Sequence, residues 1–179
     1  MERTLQALNA AFPALLARPS LQITLRQRAK FEGWLKVELG AALADAGATV
    51  ALEHTIAGAR HRADIAFQLP PERQALVMLK TVNTNFRFTG VEPRTRPITQ
   101  NIAGVIEDVQ KLRVGTGPEL RLLVFPVFPV DAESAARSAQ LSPHLSRIEA
   151  AGAWLLREGS AVPPSSDGRW AVAWYIFQA

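Results

Sequence analysis

Two strand-like stretches, Arg62 to Phe67 and Gln74 to Thr81, constrain this chain more than any other feature. Pro70-Pro71 punctuates the short connection between them, so the two read as neighbouring strands. Side chains alternate across a strand. In the first stretch Ala63, Ile65, Phe67 and Leu69 share one face, and Asp64, Ala66 and Gln68 share the other. In the second, Ala75, Val77 and Leu79 point one way, and Leu76, Met78 and Lys80 point the other. If the two pair as a hairpin, Asp64 and Lys80 come together at one end of a sheet. Lys80 is also one of only four lysines, since sixteen of the 20 basic residues are arginine.

The elements on either side complete the outline. Residues 3–17 read as an amphipathic helix that stops near Pro19, with Pro13 as a kink or break. Residues 22–46 read as the main early helix: Leu35, Leu39, Ala42, Leu43 and Ala46 recur at helical spacing, and Gly47 is a C-terminal stop. Strands are expected at about 49–54, 62–69 and 74–81, then an irregular segment at 82–97. A second long helix spans about 98–113, with Ile102, Val105, Ile106, Val109 and Leu112 as its buried stripe. Arg121 to Val130 is an apolar strand that breaks up near Pro126 and Pro129. Ser142-Pro143 starts a helix to about 151, and two strands close the chain at 153–156 and 170–177. This order gives an α/β fold, a mixed β-sheet flanked by helices, in a single domain over residues 1–179.

Composition removes several alternatives. The chain has no cysteine, so disulfides and thiolate metal sites are excluded. No apolar run approaches the roughly 20 residues that span a bilayer, and no signal-peptide pattern opens the chain. A cytoplasmic bacterial protein is the expectation. The net charge of +4 permits a nucleic-acid partner without requiring one. The abundance of arginine is explained first by GC-rich coding, which also enriches alanine. His54, His61 and His144 have no metal-ligand spacing, and no phosphate-binding glycine loop or nucleophile elbow is present.

The chemistry at the paired strands is specific. Asp64 is a hard oxygen ligand suited to Mg²⁺. A lysine beside it positions a water and offsets charge on a phosphate. The plain alternative is an ion pair at a sheet end, which contributes little. Taken with the preceding helix, the following helix and the later apolar strand, the stretch resembles the PD-(D/E)XK nuclease-like superfamily. The resemblance covers roughly residues 30–128, and it implies a restriction-endonuclease-like core over about 22–130 with a C-terminal helix-and-strand extension.

That resemblance implies a Mg²⁺- or Mn²⁺-dependent DNA endonuclease in which Asp64 holds the metal and Lys80 orients water. An acid from the early helix, Glu38 or Glu32, helps bind metal or activate water. Both lie about 60° from the Leu35 stripe at 100° per residue. Glu38 is preferred because its distance before Gly47 and the first strand is closer to the pattern of the family that the chain resembles. The family expects a second acid two residues before the lysine, where this chain has Met78. A thioether is a poor Mg²⁺ ligand. Either the missing carboxylate comes from Glu38, Glu32, Glu107 or Asp108, or metal is held weakly through Asp64, a backbone carbonyl and water, or the fold has lost catalysis. In the last case the chain is a DNA- or protein-binding subunit or regulator.

After Lys80, the segment from Asn83 to Asn101 offers Arg87, Arg94 and Arg96 for phosphates. A helix starting near Ile98 presents free N–H groups to an anion. Phe86 and Phe88 read first as core. The resemblance adds Gln100 as a site residue of the following helix. The apolar stretch Trp170 to Phe177 would pair two copies into a homodimer if it lay at a sheet edge. A scaffold with no nucleic-acid role is the remaining alternative.

Overall fold

A computed structural model describes residues 1–93, 97–134, 139–164 and 166–179 of the chain. Helices α1 (Glu2–Leu16), α2 (Pro19–Gln27) and α3 (Glu32–Asp45) precede strands β1 (Thr49–Thr55), β2 (Arg62–Gln68) and β3 (Ala75–Leu79). Then come a two-residue strand β4 (Val82–Asn83), helix α4 (Ile98–Arg113) and strand β5 (Leu120–Asp131). Helix α5 (Ser142–Ala150) and strands β6 (Trp154–Ala161) and β7 (Trp170–Gln178) finish the fold. The strands form one mixed seven-stranded sheet in the order β1-β2-β3-β5-β7-β6, with β4 continuing beside β5. Only the β3–β5 and β4–β5 pairs are parallel, and α4 links β3 and β4 to β5.

The sheet separates two cores. Leu5, Leu8, Phe12 and Leu15 of α1 pack with Leu35, Leu39 and Leu43 of α3 against Ile65, Phe67, Val77 and Val124. On the other face Ile102, Val105, Val109 and Leu112 of α4 cover Ala66, Leu76, Met78, Leu123 and Phe125. The alternation expected in β3 is therefore realised. In β2 it slips: Ala63 packs with the α4 side, whereas Ile65 and Phe67 pack with the α3 side. The slip falls at Asp64, whose neighbour across the hairpin, Glu53, has φ of 53°.

Several expected elements change. Helix 22–46 is two helices, because Arg28 takes a left-handed conformation at φ 49° and ends α2. Its buried guanidinium donates to the carbonyl of Thr84, 2.6 Å away, and to that of Phe86. Helix α1 runs through Pro13 to Leu16. Strand β5 continues past both prolines, with a β-bulge between Val127 and Val130 absorbing the irregularity. The 82–97 segment contains β4 at its start. Strand β7 lies between β5 and β6 and is buried along nearly its whole length, so it offers no edge to a second copy.

Helix α1 has no side-chain cap of its own. Glu72, from the turn between β2 and β3, supplies one. Its carboxylate accepts from the N–H of Arg3 at 3.1 Å and of Thr4 at 2.8 Å, as well as from the Thr4 hydroxyl at 2.5 Å. The Met1 ammonium, then the Thr4 hydroxyl, hold the Glu72 carboxyl down to about 2. A depressed folded pKa means that this stabilisation is complete above the ordinary value of 4.5 and fades as pH falls toward 2. Glu72→Gln should destabilise the protein by roughly 1 kcal/mol at pH 7. Denaturant unfolding at stepwise lower pH should show that difference shrinking toward zero.

Candidate functional site at the end of strand β3

The β2–β3 ladder ends at the pair Ile65–Val77. One further step in register would set Asp64 beside Met78, but the strands have parted there. The Asp64 carboxylate fills the gap: Oδ2 accepts the Leu79 N–H at 2.7 Å. Its other oxygen, Oδ1, faces Lys36 Nζ at 3.6 Å. Lys36 rises from α3 and also pairs with Glu53. The left-handed backbone at Glu53 thus sits where β1 turns a carboxylate toward the same lysine.

Lys80 follows immediately. Its backbone N–H bonds to the Val124 carbonyl, which keeps it aligned with β5. Its ammonium lies between two acids, 3.6 Å from Asp108 Oδ2 on α4 and 4.0 Å from Glu32 Oε1 on α3. Glu32 also accepts the Thr81 N–H at 3.2 Å. Asp108 is buried and bonds Lys111 Nζ at 2.6 Å, one helical turn further on. Gly104, a turn before Asp108, makes room for the lysine stem. A Cβ there would lie 3.3 Å from Lys80 Cε.

A cleft of about 550 Å³ opens beside this cluster. It is lined by Arg28, Lys30 and Glu32, by Lys80 and Asn83, and by Gln100, Asn101 and Glu107 of α4. Asn101 Nδ2 donates to the Asn83 carbonyl at 2.8 Å, which fixes the start of α4 against β4.

The predicted residues divide. Asp64 and Lys80 lie at the same end of the sheet but take different partners: Asp64 faces Lys36 of α3, and Lys80 faces Glu32 of α3 and Asp108 of α4. Glu32 is the early-helix acid that reaches Lys80. Glu38, the preferred choice, pairs instead with Arg18 at the α1–α2 junction. The two carboxylates sit on opposite flanks of the Leu35 stripe, and α3 turns the Glu32 flank to the cleft. Gln100 lines the cleft. Arg87 is exposed and outside the cleft lining. Arg94 and Arg96 lie outside the described residues. Phe88 packs on the α3-side core, and Phe86 is half-buried.

Sequence reasoning singled out Asp108 only as one of four substitutes for the missing acid, and it passed over Lys36, Lys111 and Glu53. One signal pointed to them. Of the four lysines in the chain, Lys36, Lys80 and Lys111 pair with the carboxylates of this cluster, and Lys30 lines the adjoining cleft.

This arrangement does not fit a resident Mg²⁺ or Mn²⁺. Among the described residues no three Asp, Glu, His or Cys side chains converge as a metal site. Met78 is 7% exposed and packs into the α4-side core, so it brings no hard donor. Asp64, Asp108 and Glu32 each already face a lysine.

Burial pushes the Asp64 carboxyl up, against the opposing pull of the Leu79 N–H and Lys36; Glu53 and Asp108 add to the upward shift. A raised folded pKa means that the ionised carboxylate costs stability, and that cost grows as pH rises past the ordinary value of 3.8. Asp64→Asn retains an acceptor for the Leu79 N–H. It should therefore raise the melting temperature at pH 7, by about 1–3 °C, with the gain vanishing near pH 3. No protein-family model, curated protein or solved structure matches this chain.

Proposed function

We propose that this chain is a nucleic-acid-binding domain of PD-(D/E)XK-like type that holds DNA without cutting it. The observation that carries the reading is the lysine-lined cleft at the end of β3. Lys30 is exposed and offers its ammonium to phosphate oxygens, the part-exposed Lys80 is shared between Asp108, Glu32 and the cleft, and the amides of Asn83, Gln100 and Asn101 line the same cleft. The acids that would make the site a Mg²⁺-dependent endonuclease are instead engaged with lysines. Binding without hydrolysis is the function best supported by that chemistry.

Fluorescence anisotropy with a labelled DNA duplex, without divalent cations, tests the binding. Affinity should fall linearly on a log–log plot against salt. Lys80→Ala should weaken binding and lower the slope by about 1. Supercoiled plasmid incubated with Mg²⁺ or Mn²⁺ should remain intact. Nicking that disappears in Asp64→Ala would restore the endonuclease reading, and absence of binding at low salt would remove the nucleic-acid reading.

A further inference from the structure

We infer that the cleft takes an unpaired nucleotide of single-stranded DNA in preference to the backbone of a duplex. The inference rests on the nucleic-acid reading above and names the form of its ligand. The mixed chemistry of the lining carries it. Lys30, exposed on the connection between α2 and α3, forms no ion pair among the described residues. Glu107 of α4 lines the same cleft, and it too has no hydrogen-bond or ion-pair partner among the described residues. Between them stand the amides of Asn83, Gln100 and Asn101. An amide side chain both donates and accepts, whereas an ionised carboxylate only accepts. The cleft thus asks for a ligand with an anionic group and with N–H donors.

The outside of a duplex meets the first demand and not the second. Its phosphate oxygens are acceptors, and Glu107 repels them. Its base donors lie at the floor of a major groove about 8.5 Å deep, which a protruding element reaches and a recessed cleft does not. The lining is also short of cations for a row of phosphates. Lys80 is shared with Asp108 and Glu32, and Arg28 donates to the carbonyls of Thr84 and Phe86. An unpaired nucleotide meets both demands. Its phosphate suits Lys30, and its exposed base edge offers amino groups of the kind that a carboxylate or an amide reads. The cleft volume of about 550 Å³ suits a single small unit, within the ~300–1,000 Å³ usual for such pockets. Among the described residues no aromatic ring lines it, while Ala29, Ala103 and Gly104 leave space for a base. Recognition therefore falls to the base edge and not to stacking.

Fluorescence anisotropy without divalent cations tests this with three labelled probes: a mixed-sequence DNA strand that does not fold on itself, its duplex with the complement, and an abasic strand of the same length. The single strand should bind at least about tenfold tighter than either the duplex or the abasic strand. Glu107→Gln replaces a charged acceptor by a neutral one and removes the repulsion of duplex phosphates. It should narrow both preferences by about threefold or more. Circular dichroism establishes that the variant is folded. A duplex or an abasic strand that binds as tightly as the single strand would overturn the inference and leave the nucleic-acid reading standing. Folded Glu107→Gln with unchanged preferences would also overturn it. Absence of binding by all three probes at low salt would overturn both.

Discussion

The bond between the Asp64 carboxylate and the Leu79 N–H determines how this site is built. An antiparallel pair that ran on would have used that N–H for a backbone carbonyl. With the carboxylate in its place, β2 and β3 part after Ile65 and Val77, and the Asp64 side chain lies in the gap between them. The change of face between Ala63 and Ile65 follows from that placement. So does the meeting of α3 and α4 side chains at one point, since the opened sheet end admits Lys36 from one face and Asp108 with Lys111 from the other.

That geometry costs stability. A carboxylate and its partners are half-withdrawn from water, and a non-glycine residue, Glu53, takes a left-handed backbone beside them. A core that served only to fold the chain would fill the same place with apolar side chains. The cluster is compensated by charge pairing and by Gly104, which lets the Lys80 stem lie against α4.

The use of lysine sharpens the contrast. Elsewhere the chain meets its need for positive charge with arginine, including the buried Arg28 and the surface pairs of Arg18 and Arg157. Arginine's planar fork suits carbonyl and carboxylate edges, whereas a lysine ammonium is a compact charge on a flexible stem. Three ammonium groups lie among Asp64, Glu53, Asp108 and Glu32. The rarity of lysine was visible in the sequence, but its meaning required seeing where the four lie.

Periodicity and punctuation determined the order of elements. The apolar stripe of α4, the alternation in β3 and the Ser142-Pro143 helix start are local properties, and the fold realises each. That Asp64 and Lys80 lie at one end of the sheet was legible from two adjacent strands, but their partners, Lys36 for Asp64 and Asp108 with Glu32 for Lys80, were not. Tertiary structure decided the rest. The break after α2 depends on Arg28 finding carbonyls 56 and 58 residues away. The choice of Glu32 over Glu38 depends on which flank of α3 faces the cleft, and both acids are equally offset from the buried stripe. The central place of β7 depends on β6 pairing outside it. Local sequence carries the period of an element. Which neighbours an element meets is set by packing between residues far apart in the chain.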